Sequence, residues 1–162
     1  MGTVKPIRII GIDPGLANTG WGVIESRGSR LSHLEHGCIE TLQEQENAMR
    51  LLEIANGLEA VLNKWQPVIG GIENLYFARN VKTAIPVAQG RGVACLVLAR
   101  AGVAVCEFTP NAIKTSVTGI GNADKNQVQQ MVRLLLGLDD IPRPDHAADA
   151  LAAAICAANN RI

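Results

Sequence analysis

Two short segments of this chain share one design. Ile9-Ile10-Gly11-Ile12 ends in Asp13, and Val68-Ile69-Gly70-Gly71-Ile72 ends in Glu73. Each is apolar along its length and places an acid at its C-terminal end. As neighbouring parallel strands they would set the two acids on one edge of a sheet, about 5 Å apart. That edge is where open sheets with parallel strands bind ligands. Carboxylates so close repel each other unless a cation or a proton intervenes. Gly11, Gly15 and Gly71 permit close backbone approach around them.

The rest of the chain supplies the frame. Ile7 to Asp13, Gly20 to Ser26 and Leu31 to Ile39 read as three strands, with Arg27-Gly28-Ser29 as a hairpin turn. His33, Glu35, His36 and the adjoining Glu40 suit the third strand to an edge. Apolar residues at 48, 51, 52, 55, 58 and 62 mark one face of a helix from Asn47 to Lys64. Val68 to Glu73 and Val103 to Phe108 are further strands. A second helix lies within Thr83 to Arg100, and Pro86 must sit near its start or kink it. Asn111 to Thr118 reads as a short helical turn, Asn126 to Leu136 as a third long helix, and Asp145 to Asn159 as a final alanine-rich one. The order β-β-β-α-β-α-β-α-α predicts an antiparallel meander extended by parallel strands through right-handed crossovers. The expected class is α/β, with a five-stranded mixed sheet flanked by helices. At 162 residues and 48% hydrophobic, the whole chain is expected to be one domain.

A third acidic group completes the pattern. In Pro144-Asp145-His146-Ala147-Ala148-Asp149-Ala150-Leu151, His146 and Asp149 are spaced i, i+3, and Asp145 and Asp149 i, i+4. The intervening residues are alanine and leucine, so this face packs on the sheet, where polar side chains need a reason. Asp13, Glu73 and Asp149 with either His146 or Asp145 would form a hard-cation site for Mg²⁺ or Mn²⁺. Two such ions about 4 Å apart suit in-line phosphodiester hydrolysis. Singly, each acid has an ordinary reading: Asp13 before Pro14-Gly15 as a turn residue, Glu73 as a solvated strand end, Asp145 as a helix start.

Lys+Arg and Asp+Glu both number 15, which excludes an overall basic DNA binder and leaves room for segregated charge. Cys38, Cys95, Cys106 and Cys156 form no C-x-x-C pair and read as small buried residues of a reducing compartment. The N-terminal apolar run is too short for a signal peptide, and no apolar stretch approaches the roughly 20 residues of a membrane span. A cytoplasmic protein with no membrane association is expected.

At this point a family resemblance enters. I-G-I-D-P-G at 10–15, T-G-W-G-V-I at 19–24, G-I-E-N-L-Y-F-A-R-N at 71–80, A-Q-G-R-G-V-A at 88–94, I-K-T-S-V-T-G-I-G at 113–121, D-K-N-Q-V-Q-Q-M-V at 124–132 and H-A-A-D-A-L at 146–151 resemble the RuvC Holliday-junction resolvases, collinearly from about residue 7 to 158. The resemblance implies an RNase H-like fold and a homodimer that nicks two opposed strands of a four-way DNA junction. Partnership with the branch-migration proteins RuvA and RuvB is implied on the same ground. It also assigns Asp13, Glu73, His146 and Asp149 as metal-binding catalytic residues, selecting His146 over Asp145. Lys114 and Lys125 match family lysines near the scissile phosphate, where an ammonium can stabilise transition-state charge. Tyr76 falls where an aromatic wedges against bases, and Arg79 and Asn80 where residues read the cleavage sequence. Phe77 is expected to be core. Lys82, Arg91 and Arg133 could add DNA-backbone contacts, although a solvated face accounts for each more simply. The small-residue-rich second helix is expected to pack in part against its twin. Three other readings stand beside this one. They are a nuclease for another branched or RNA-containing substrate, a non-catalytic junction-binding module, and a nucleotide-binding ATPase. The last needs a second related domain for which the chain has no room.

Overall fold

The structure, a computed structural model, describes residues 2, 4–74 and 81–161. Its strands are β1 (Ile7–Asp13), β2 (Asn18–Arg27), β3 (Arg30–Glu40), β4 (Ile69–Glu73) and β5 (Ala104–Phe108). Its helices are α1 (Asn47–Trp65), α2 (Val81–Arg100), α3 (Pro110–Thr118), α4 (Lys125–Leu136) and α5 (Asp145–Asn159). The sheet order is β3-β2-β1-β4-β5. The first three strands pair antiparallel, and β4 and β5 run parallel to β1. This is the expected five-stranded mixed sheet, with β3 at an edge.

Strand alternation divides the interior in two. Ile9 faces a core built with α3, α4 and α5. Ile10, Ile12 and Ile72 face the other, closed by α1 and α2. Helix α5 is buried along nearly its whole length, and glycines let it lie directly on the strands. A Cβ on Gly11 would stand 1.8 Å from the Ala150 carbonyl oxygen, and one on Gly71 2.5 Å from that of Ala153. An alanine helix on a glycine-lined sheet fixes its own depth by backbone contact, leaving little slack in the residues it carries.

Three expectations are corrected. Asn111 to Thr118 belongs to a true helix. The Thr109 side chain caps it by accepting from the Ala112 N–H, Pro110 fills the first turn where no donor is needed, and Gly119 ends it at φ 77°. Among the described residues, five helices therefore replace the four inferred. Second, α2 does reach span length, with 20 residues that include an 18-residue stretch of mean hydropathy 1.2. It nevertheless contains Lys82, Pro86, Arg91 and Arg100, and it packs on the sheet through Ala94, Val97 and Leu98. Pro86 lies near its start, as required. Third, only Cys156 is fully buried; the other three thiols are half-buried, and all four are free.

Candidate metal centre

The register Ile12↔Ile72 brings Asp13 and Glu73 side by side at the carboxyl ends of β1 and β4. They share parity with Gly11 and Gly71, so both point to the face covered by α5. The other neighbour of Asp13 is Gly20 on β2. A Cβ there would fall 2.0 Å from the His146 carbonyl oxygen, so the missing side chain lets the first turn of α5 settle over the acid.

His146 and Asp149, one turn apart on α5, then reach the strand ends. His146 Nδ1 lies 2.9 Å from Asp13 Oδ2. The potential ligand atoms of Asp13, His146 and Asp149 all lie within 4.8 Å of one another. Glu73 is not one of these three. It lines an adjoining cleft of about 280 Å³ with Asp149, Lys114 and Lys125.

Three carboxyls are held above their ordinary pKa. Burial is the largest cause for each. The neighbouring acids add to it for Glu73 and Asp149, whereas His146 partly offsets it for Asp13. The donor set of hard carboxylate oxygens and one imidazole, with the ionised carboxylates disfavoured in the absence of a counter-charge, fits a divalent cation. Asp145 behaves oppositely. Its side chain is half-exposed, and hydrogen bonds from Lys125 and Gln129 lower its pKa. It also pairs with Arg143 at 3.1 Å. Of the two candidates left open by spacing, the structure therefore puts His146 in the cluster and Asp145 at its rim.

Lys125 is placed by a capping box. The Asp124 carboxylate accepts from the Gln127 N–H while the Gln127 side chain accepts from the Asp124 N–H, fixing Lys125 as the first residue of α4. Its Nζ stands 3.2 Å from Asp145 Oδ2 and 3.8 Å from Asp149 Oδ2. Burial works against its charge, but Asp149 and Asp145 outweigh it and hold its pKa above the ordinary lysine value. Lys114, on α3, lowers the pKa of Glu73 by its charge.

A family model described as "Crossover junction endodeoxyribonuclease RuvC" matches residues 9–157. The chain belongs to the RuvC family. A RuvC of Chloroflexus aggregans is 51% identical over 150 residues, 93% of this chain and 92% of that protein. A RuvC of Treponema denticola is 52% identical over 151 residues, 93% and 85% respectively. The solved structure of "T. thermophilus RuvC in complex with Holliday junction substrate" superposes with a TM-score of 0.88 at 32% identity, covering 93% of this chain and 92% of that one. The fold is accordingly the RNase H-like one of the RuvC resolvases.

Within that family frame, the four inferred metal ligands and both lysines converge on one edge of the sheet. Tyr76, Phe77, Arg79 and Asn80 lie outside the described residues. Arg133 donates to Gln130 on its own helix. Arg91 is corrected: its side chain is only 18% exposed and pairs with Glu107, so it is not part of a solvated face. The role of Gly20 was missed. Its signal was present, since two glycines two apart in a strand (Gly20 and Gly22) mark a face approached by another backbone.

Proposed function

We propose that this RuvC-family chain resolves four-way DNA junctions by symmetric, metal-dependent nicking of two opposed strands, in recombination and repair. The observation that carries the reading is the cluster of Asp13, His146 and Asp149 beside Glu73, with two lysines at its rim. Bound there, one or two Mg²⁺ or Mn²⁺ ions would activate a water and stabilise the leaving 3′-oxygen, giving 5′-phosphate and 3′-hydroxyl ends. Asp13, Glu73, His146 and Asp149 would hold the ions. The imidazole, fixed by its bond to Asp13, is the softest donor, and it favours Mn²⁺ over Mg²⁺. Lys114 and Lys125 would bind the scissile phosphate and offset the charge that develops on it. In this reading Tyr76, Arg79 and Asn80 contact DNA bases. The protein acts in the cytoplasm as one nuclease domain, with RuvA and RuvB as partners.

Cleavage of a labelled junction beside a matched linear duplex tests this, with Mg²⁺, Mn²⁺ or EDTA. Paired nicks in the junction alone, faster with Mn²⁺ and absent in EDTA, are expected. Cutting of both substrates would remove junction selectivity, and equal rates at saturating Mg²⁺ and Mn²⁺ would remove the inferred role of the imidazole.

A two-fold junction calls for a two-fold enzyme. Helix α2 offers a surface for one. Val81, Ile85, Ala88, Gly92, Leu96 and Ala99 are all exposed and recur at helical spacing along its outer face. Val81 is 67%, Ile85 54% and Leu96 56% exposed. A Cβ on Gly92 would meet nothing within 4 Å among the described residues, so its smallness serves no contact with them. We expect the parent to be a dimer by light scattering at micromolar concentration, and Leu96→Glu, which places a charge in this stripe, to be a folded monomer. A monomeric parent would dispose of the dimer.

A further inference from the structure

On the face of the sheet opposite the acids, α2 touches both strand ends that carry them. Gly90 is buried against the turn that follows Asp13. A Cβ there would lie 3.0 Å from the Gly15 carbonyl carbon and 3.1 Å from its oxygen. The next residue, Arg91, turns inward. Its Nη2 donates to Asn74 Oδ1 at 3.4 Å and forms a short ion pair with Glu107. Asn74 directly follows Glu73, and its backbone N–H donates to the Phe108 carbonyl at 2.7 Å. In the β4–β5 register Glu107 lies beside Ile72 and Phe108 beside Glu73. One guanidinium thus joins α2, the end of β4 and the end of β5. A single nitrogen, Nη2, makes both contacts at the end of the long guanidinium side chain.

From this geometry we infer that the Gly90-Arg91 step is a brace that sets the separation of Asp13 and Glu73 from behind, with Arg91 a positioning residue for the metal centre. The inference rests on the reading of those acids as cation ligands. It gives a physical role to the A-Q-G-R-G-V-A segment. Gly90 sits at van der Waals distance from the turn after one acid, and Arg91 ties down the residue after the other. Ligand distances in metal sites are set to within about 0.2 Å, so loss of a tether one residue away registers as lost affinity.

The test is Mn²⁺ binding by calorimetry, at a temperature well below each variant's melting point, for the parent, Arg91→Gln, Arg91→Lys and Glu107→Gln. Arg91→Gln is expected to weaken Mn²⁺ binding on the order of 10-fold or more, the loss typical of removing a support behind a ligand. Arg91→Lys, which keeps a charge for Glu107 on a shorter side chain that falls short of Asn74, is expected to recover only part, and serves if Arg91→Gln does not fold. The Arg91→Gln/Glu107→Gln double variant is expected to lose no more than Arg91→Gln alone, because both changes break one linkage. Junction binding in EDTA is expected to be unchanged, a result that general loosening of the fold would not give. Parent-like Mn²⁺ affinity in Arg91→Gln or Arg91→Lys overturns the brace while leaving the cation site standing. A parent that binds no Mn²⁺ overturns the cation reading and the brace with it.

Discussion

Asp13→Asn is expected to abolish junction cleavage while raising the melting temperature of the metal-free protein at neutral pH. The loss of activity follows from position, since Asp13 is both a member of the ligand cluster and the partner of His146. Replacing it removes a charge that holds the cation, for a loss on the order of 10³-fold or more. The gain in stability follows from the sign of the pKa shifts. Asp13, Glu73 and Asp149 are each held above their ordinary values, first by burial and, for Glu73 and Asp149, then by neighbouring acids, Asp13 foremost. Such groups favour the folded state below the ordinary carboxylate range, about pH 4, and that contribution is lost as pH rises through their folded values. The metal-free parent therefore carries a penalty at neutral pH that Asn in place of Asp13 relieves. Asn keeps an acceptor oxygen for His146, so the hydrogen bond need not be lost. In a chain of this size each kcal/mol is worth about 2–4 °C, so a rise of a few degrees in EDTA is expected, shrinking as the pH is lowered. Saturating Mn²⁺ should reverse the order. At 100 times its dissociation constant an ion stabilises the fold that binds it by about 2.7 kcal/mol, and the variant forgoes most of that. Calorimetric melts with and without EDTA decide it. Equal melting temperatures in EDTA would mean that the acids do not strain one another, and parent-like cutting by Asp13→Asn would remove Asp13 from the site.

Much of this arrangement was legible in the sequence because it is local. Asp13 and Glu73 each close a short apolar strand, and strand parity alone puts both on one face once the strands are paired. His146 and Asp149 are separated by one helical turn, which fixes their common face wherever the helix lies. The segment at Asn111 failed as a helix reading because its evidence is weak by length: nine residues, opened by a proline and a threonine cap. The direction of Arg91 was illegible for a different reason. Arginine on a helix ordinarily faces solvent, and only the pairing of β4 with β5 shows that Glu107 and Asn74 wait beneath it. Spacing alone left Asp145 and His146 both open and only the resemblance selected His146, because the physical reason for the choice is tertiary. Both lie in the first turn of α5, and what separates them is Lys125, which arrives from α4 and engages the rim acid at 3.2 Å.

Gly20→Ala is expected to cost about 10²-fold in cleavage for the addition of one methyl group. The methyl would sit 2.0 Å from the His146 carbonyl oxygen, and this obstacle is backbone that cannot swing aside. Relief to an ordinary carbon–oxygen contact requires the first turn of α5 to lift by roughly 1 Å, a displacement large enough for such a loss when it occurs at reacting groups. His146 would move away from Asp13, and Asp149 with it. Because the clash is at the helix end, the turn can yield, and the stability cost should stay within about 1–3 kcal/mol. Gly11→Ala is the informative comparison. Its methyl would lie 1.8 Å from the Ala150 oxygen and 2.6 Å from the Ala154 nitrogen, under the middle of the same helix, where no free end can yield. There the burden should fall on folding itself, at or above the upper end of that range. Urea melts, Mn²⁺ titration and cleavage on both variants separate the two effects. A Gly20→Ala protein that folds, binds Mn²⁺ more weakly and cuts slowly would place the positioning of His146 and Asp149 in the contact between α5 and β2. A Gly20→Ala protein that cuts like the parent would mean that the first turn of α5 can shift by an ångström without consequence, and His146 would lose its claim to a place among the ligands.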